Sequence, residues 1–497
     1  MVLLKELLHS VEGARWQRGP DPGLRVSGIV VDSRAVQPGS LFVAIRGTRL
    51  DGHDRIGDAV ARGAAAVIAE REVEDPGVPV VRVPGSRRAL AELAIAWHNN
   101  PAERLPVVGI TGTLGKTSVL SMLEAILLEA GNRVGTIGSL GIRFSGKEED
   151  TGHTVPGPLM VQRALADMAN AGADLAAMEV TSHALVQERV HGLRFALGIF
   201  TNLVPLEHME YHGSFEQYAA AKARFFDLLP AGAPLVFLGG DPVVRALVEA
   251  RDLRAIGCGA SDEAAVQVRR ESLDAERMVL RVQTREPLPR VGGGVVPPAS
   301  FPVRLRMLGR SNASNASVAI AGALCLGAPR EAVQAALETM PSPPRRMHVL
   351  HHGRFTVIDD TVGHPDSITA VYEVAEALPH RRLHVVFVIR GQRGTEINRR
   401  DAGALAIWTE RVPTATLIVS PSTDAADERN RVEPEERAAF TGGLHEAGTP
   451  FEERDLVEDA VTRVLDRAGE GDLVLLLGAQ GMDVGAEIVA RWLESNR

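Results

Sequence analysis

The stretch LPVVGITGTLGKTSVLSMLEAILLEAG, residues 105–131, carries the reading that decides this fold. Its first six residues, Leu105–Ile110, form an apolar run of strand length. A glycine-punctuated turn follows, and from Lys116 apolar residues recur with the spacing of a buried helix. Strand, glycine turn and helix in that order make a phosphate loop. Its backbone N–H groups turn inward around phosphate oxygens, and the helix presents its positive end to them. Gly112, Thr113, Gly115, Lys116, Thr117 and Ser118 are the candidate nucleotide contacts. Lys116 is placed to reach the outer phosphates, and Thr117 to offer its hydroxyl to Mg²⁺. The strict spacing fails by one place, because Ile110 stands where a glycine is expected and the glycine is Gly109. The plainer alternative is an ordinary turn between a strand and a helix.

Lysine usage weighs against that alternative. Only Lys5, Lys116, Lys147 and Lys222 occur among 54 lysines and arginines. Where arginine serves for nearly every positive charge, a retained lysine points to a need for a primary amine.

Outward from the loop, the strand-like runs Ala176–Val180 and Leu197–Asn202 alternate with helical stretches, which predicts a mostly parallel sheet covered on both faces. Residues 1–100 read as a small α/β domain with a helix through Ala59–Ala66, and residues 101–344 as a central domain. Residues 345–497 read as a third domain of Rossmann-like pattern. Arg290–Pro302, rich in glycine and proline, reads as a long loop, and Pro341–Arg346 as a linker. The expected class is therefore α/β with three domains, the central one a P-loop NTPase-like sheet.

The formal net charge of -9 and an aromatic content of 4% exclude a nucleic-acid partner. Cys258 and Cys325 form neither a disulfide framework nor a zinc spacing. With no apolar segment of membrane-spanning length, the expectation is a cytoplasmic protein with no membrane partner.

Two further clusters bear on chemistry. Glu179 ends an apolar strand and precedes Thr181-Ser182-His183, where a carboxylate beside a phosphate loop would serve Mg²⁺. The bland alternative is a solvated strand-end carboxylate. Farther on come Glu207, His208, Tyr211 and His212, then Lys222 in Tyr-Ala-Ala-Ala-Lys. In isolation Lys222 reads as a snorkelling surface group, and the histidines as satisfied surface or core residues.

TGTLGKTS, MEVTSHAL, TNL…EHMEYHG and YAAAKARFF, in that order, resemble the Mur ligase family. GIVVDSRAVQPGSLFVAIRGTRLDGHD near the N-terminus and GRSNASNASVAIA at Gly309–Ala321 are similar to its other segments. The resemblance implies an ATP- and Mg²⁺-dependent ligase that adds an amino acid to UDP-N-acetylmuramoyl-L-Ala-D-Glu through an acyl phosphate, in peptidoglycan precursor synthesis. It implies that the N-terminal domain holds the UDP substrate, the central domain ATP and the last domain the amino acid, in a monomer. Asp32, Ser33 and Arg34 fall where the uridine nucleotide is held, and Thr154, Ser182, Gln187 and Arg189 where the muramoyl peptide is gripped. Asn312, Asn315 and Arg346 match positions near ATP. Lys222 matches a lysine that the family carbamylates. The carbamate and His208 would serve one Mg²⁺, and Glu179 with Thr117 the other.

The C-terminal third departs from the family. An expected D-Y-A-H-x-P-D reads Asp360-Thr361-Val362-Gly363-His364-Pro365-Asp366. No D-N-P-R motif occurs, Ser420–Asp424 standing in its place, which argues against meso-diaminopimelate as acceptor. Asp424, Asp427 and Glu428 read either as partners of a distal ammonium or as a solvated acidic loop. Two other readings stay open at this point: a related amide ligase moved to another pathway, and a non-catalytic relative that binds the UDP-muramoyl peptide.

Overall fold

The computed structural model describes residues 1–19, 21–47, 50–205, 209–274 and 276–496. Its largest sheet has eleven strands. Val107–Thr111 lies near the middle, with Leu175–Val180 on one side and Phe195–Phe200 on the other, all parallel. Pro234–Leu238, Arg254–Gly259 and Val266–Leu273 continue the parallel run outward, and Val134–Gly138 extends it the other way. Antiparallel strands close both edges.

Burial on both faces explains the unbroken apolar runs that the sequence showed. Every residue of Val107–Thr111 and of Leu175–Val180 is buried. Helices Lys116–Glu129 and Arg310–Cys325 cover one face through Val119, Leu123, Ile126, Val318 and Ile320. Pro158–Asn170 and Phe215–Ala223 cover the other through Val161, Leu165 and Tyr218. The chain runs outward from Val107–Thr111 in one direction and then returns to add Phe195–Phe200 on its other flank. The ends of these neighbouring strands thus open a crevice at a topological switch point, the place where open α/β sheets bind ligands.

The N-terminal sheet has five strands in the order Arg15–Arg18, Val80–Arg82, Ala66–Ala69, Ser40–Val43, Gly28–Val30. The alanine-rich helix expected through Ala66 is instead Ile56–Ala61, and Ala66 begins a strand. Gly63, in a left-handed conformation at φ +97°, makes the break. The C-terminal sheet has six strands, and Thr356–Thr361, Leu473–Gly478, Leu383–Val388 and Thr414–Ser420 run parallel within it. Apolar cores on both of its faces make it doubly wound.

The long loop expected over Arg290–Pro302 is only partly a loop. Val295–Val296 pairs with Leu288–Pro289, and Ala299–Leu305 is an edge strand of the central sheet. Pro302 is tolerated there because an edge strand has one side with no ladder to feed. Among the described residues, no helix is long and apolar enough to cross a membrane.

Candidate active site

The turn at residues 111–115 is shaped by what a side chain would strike. Gly112 has φ +136°, and a Cβ there would lie 1.9 Å from Thr201 Oγ1. Gly115 has φ +85°, and a Cβ there would lie 2.2 Å from Asn315 Oδ1. Gly109, by contrast, sits inside the strand against the Phe195 ring. The glycine that broke the strict motif is therefore a packing residue, and Gly112 and Gly115 form the loop.

Neighbouring strand ends hold the turn in place. Thr113 N donates to Asn202 O at 2.8 Å, Leu114 N to Asn202 Oδ1 at 2.9 Å, and Thr113 Oγ1 meets Tyr218 Oη at 2.8 Å. Lys116 opens the helix Lys116–Glu129, and its Nζ donates to the carbonyls of Gly112 and Thr113 at 3.0 and 2.7 Å. The ammonium thus lies over the loop, where phosphate oxygens would replace those carbonyls. Thr117 and Ser118 are buried in the first helical turn.

Glu179 is only 1% exposed, so the solvated reading of this carboxylate fails. Thr117 Oγ1 donates to Glu179 Oε1 at 3.0 Å, and Ser139 N donates to the same oxygen at 2.8 Å. Parallel register produces this meeting, since Glu179 pairs with Ile110 across the strands. Ser139 escaped notice in the sequence because no motif surrounds it. The signal was its place just after Val134–Gly138, at the same end of the same sheet. Tyr218 also went unremarked as a support of the loop.

Lys222 is likewise 1% exposed, which overturns the snorkelling reading. Its Nζ donates to Gly112 O at 2.8 Å and to Thr111 Oγ1 at 3.2 Å. Burial pushes this amine well below the ordinary lysine range, the nearby positive charge of Lys116 pushes the same way, and Glu179 only partly opposes them. The site therefore favours a neutral, nucleophilic amine. Among the described residues, no group of three or more His, Cys, Asp or Glu is gathered to hold a metal. His208 lies outside the described residues.

A cleft of about 1820 Å³ joins these groups to the C-terminal domain. Lys116, Thr117, Glu179, Asn312, Asn315 and Arg346 all line it. Asn312 Nδ2 donates to Leu308 O at 2.9 Å, and Asn315 Nδ2 to Asn312 Oδ1 at 3.3 Å. Arg346 NH1 donates to Thr361 Oγ1 at 2.5 Å. On the C-terminal side, burial pushes the carboxyls of Asp359 and Asp360 up to about 6 and about 7.

The peptide-side candidates fall into three separate hydrogen-bonded groups. Thr154 Oγ1 meets Ser139 Oγ at 3.0 Å, and Ser182 Oγ meets His212 Nε2 at 2.9 Å. Arg189 NH2 donates to Gln187 Oε1 at 2.8 Å, and its NH1 to Val155 O at 2.5 Å. Thr154 and Arg189 line the cleft. Asp32, Ser33 and Arg34 are not brought into it. They form a separate turn after Gly28–Val30, where Asp32 accepts from Arg34 N at 2.9 Å. The Arg34 hydrogen bonds hold the Asp32 carboxyl down at about 2. In the acidic loop, Asp424 accepts from Val457 N at 2.9 Å and Asp427 from Asn430 Nδ2 at 2.7 Å. The Asp427 contact is local, whereas Asp424 meets the first residue of the distant helix Val457–Arg467.

Three family descriptions match the chain in order. The description "Mur ligase family, catalytic domain" fits residues 25–98, "Mur ligase middle domain" fits 110–323, and "Mur ligase, glutamate ligase domain" fits 345–480. The chain is 36% identical over 500 residues to the UDP-N-acetylmuramyl-tripeptide synthetase of Roseiflexus sp. (strain RS-1), covering 96% of this chain and 94% of that protein. It is 31% identical over 484 residues to the UDP-N-acetylmuramoyl-L-alanyl-D-glutamate--2,6-diaminopimelate ligase of Geobacillus thermodenitrificans (strain NG80-2), with the same coverage. The crystal structure of MurF ligase from Thermotoga maritima in complex with ADP shares the fold, with a TM-score of 0.66 at 20% identity over 95% of this chain and 99% of that one.

Proposed function

The chain belongs to the Mur ligase family, and we propose that it joins an amino acid to UDP-N-acetylmuramoyl-L-Ala-D-Glu in the cytoplasm, as a step of peptidoglycan precursor synthesis. It is an ATP-dependent, ADP-forming ligase. The observation that carries the substrate reading is one cleft in which Lys116, Thr117, Glu179 and the peptide-side residues Thr154 and Arg189 converge. Relatives of the same length, covered over more than nine-tenths, bear the names of such ligases.

The residues fit the chemistry an amide bond requires. A carboxylate does not react with an amine, so the γ-phosphoryl group of ATP is first transferred to it. A new bond forms between carboxyl oxygen and phosphorus as the bond to ADP breaks. The amine then attacks the acyl carbon, the C–N bond forms, phosphate leaves with its oxygen, and the amine gives up a proton. Lys116 and the N–H groups of the glycine turn hold the phosphates and neutralise charge gathering on them. Arg189 and Thr154 orient the peptide carboxylate toward the loop. Asn312, Asn315 and Arg346 border the nucleotide, and closure of the C-terminal domain excludes the water that would hydrolyse the acyl phosphate.

Thr117 and Glu179 suit a divalent cation, because a hydroxyl and a buried carboxylate lie together at the end of the sheet beside the phosphate loop. Mg²⁺ there would supply charge neutralisation to the transferring group. Lys222, as a carbamate, would add the second anionic group of the site, with His208. The proposed division of labour gives residues 1–100 the UDP moiety, 101–344 ATP and 345–497 the amino acid.

Titration calorimetry tests the substrate assignment. Asp32→Ala removes the acceptor that fixes the Ser33–Ala35 turn, so UDP-N-acetylmuramoyl-L-Ala-D-Glu is expected to bind about tenfold more weakly, the scale of one charge-assisted hydrogen bond. ATP affinity should stay unchanged, since this turn is absent from the lining of the nucleotide cleft. An equal loss for both ligands, or a larger one for ATP, contradicts the assignment.

A further inference from the structure

His364 stands before the helix Pro365–Ala377 and caps it with its ring. Nδ1 accepts from Asp366 N at 3.2 Å, and Ser367 Oγ accepts from His364 N at 3.2 Å. Serine, threonine, asparagine and aspartate fill this position most readily, because a short side chain suffices. An imidazole brings a second nitrogen on its far side. With Nδ1 accepting, Nε2 carries the hydrogen, and it donates to Pro205 O at 3.1 Å. His364 is 4% exposed, so the ring is clamped between the two domains.

Pro205 belongs to the segment that leaves the strand Phe195–Phe200 of the central domain. That segment is fastened to the phosphate loop. Val204 N donates to Thr113 Oγ1 at 3.0 Å, Asn202 takes hydrogen bonds from Thr113 N and Leu114 N, and Thr201 Oγ1 donates to Leu114 O at 2.7 Å. Leu203 N is held by Asp241 Oδ2 at 2.7 Å. Farther along the capped helix, Glu373 pairs with Arg310 at 2.8 Å, at the start of the helix that carries Asn312 and Asn315. Asp366, Ser367 and Thr369 line the nucleotide cleft between these two contacts.

We propose that His364 is a positioning residue: its bond to Pro205 ties the seating of the C-terminal domain to the geometry of the phosphate loop, through Val204 and Thr113. The cap alone needs one acceptor. The second nitrogen is what an interdomain tie requires, and it meets a segment that already braces the nucleotide turn on several atoms. A Cβ on Gly363 before it would lie 2.7 Å from the Arg390 side chain, whose NH1 donates to Gly363 O at 2.8 Å.

The two functions of the ring are separable. His364→Asn keeps a cap acceptor but is too short to reach Pro205, and His364→Asp keeps the acceptor with no hydrogen to donate. Hydrogen exchange on the full-length protein without substrate reads the result. Both variants are expected to exchange the Leu203 and Val204 amides about fivefold faster, the size of one net hydrogen bond. The helix Pro365–Ala377 and the melting temperature should stay within the wild-type range, since the cap survives. Wild-type exchange at Leu203 and Val204, or acceleration confined to the capped helix, overturns the proposal. No substrate enters this measurement, so its outcome is independent of whether the proposed ligation is found.

Discussion

Lys222→Arg is expected to lose at least about a hundredfold in kcat, although it keeps a positive charge, because losing one preorganised charged group from such a site costs that much. The position is buried, and its present occupant is an amine driven toward neutrality by burial and by Lys116. A neutral amine attacks CO₂ and becomes an anionic carbamate, whereas a guanidinium stays protonated and cannot. Arginine would therefore leave a fixed cation where the site calls for an anion. Lys222→Ala should be equally slow but partly restored by formate or acetate, which fit the vacated space and replace the carboxylate-like group. With only four lysines in the chain, ¹³C-bicarbonate should give one protected carbamate resonance, absent from both variants. Wild-type turnover by Lys222→Arg, with its melting temperature retained, defeats the carbamate reading.

Lys116→Ala should be at least as damaging. The Lys116 ammonium lies over the loop at 3.0 and 2.7 Å from two loop carbonyls, and no other lysine or arginine opens the helix behind the turn. Removing a phosphate-holding cation from a preorganised site costs about two to three orders of magnitude in kcat. Folding should survive, since alanine at this place keeps the helix and leaves the apolar faces of Val119, Leu123 and Ile126 untouched. UDP-substrate affinity should also be retained, because Asp32 and Arg34 lie in another domain. Full ATP turnover by this variant removes the phosphate-loop assignment.

Much of this site was legible in the sequence, for a physical reason that differs from residue to residue. The phosphate loop is local: strand, turn, lysine and helix lie within one continuous stretch, so periodicity and glycine placement suffice. Glu179 and Lys222 reach the loop only through sheet register and helix packing. Nothing in the residues around them distinguishes a buried partner from a solvated charge. Their grouping came from the order of motifs shared with a family, and the buried geometry shows why the order matters. Sequence reading failed where local composition opposes the tertiary outcome. Gly-Gly-Gly and Pro-Pro near Pro302 suggest a loop, yet an edge strand accepts a proline on its unpaired side. Gly109 breaks the strict motif by one place because it lets the Phe195 ring pack on the strand. Asp424 carries no mark in sequence of the helix it supports, because Val457 comes to it from elsewhere in the fold. His364 was visible only as a histidine displaced by one place, and its second contact needed the other domain.

Phosphate release by the purified protein with Mg²⁺, ATP and UDP-N-acetylmuramoyl-L-Ala-D-Glu, run against lysine, ornithine, diaminopimelate and the common amino acids in turn, is the most direct test of the proposed ligation. Release that depends on both the UDP substrate and one amino acid, with a matching gain in product mass, is the expected result. ATP binding without release under every pairing would contradict it.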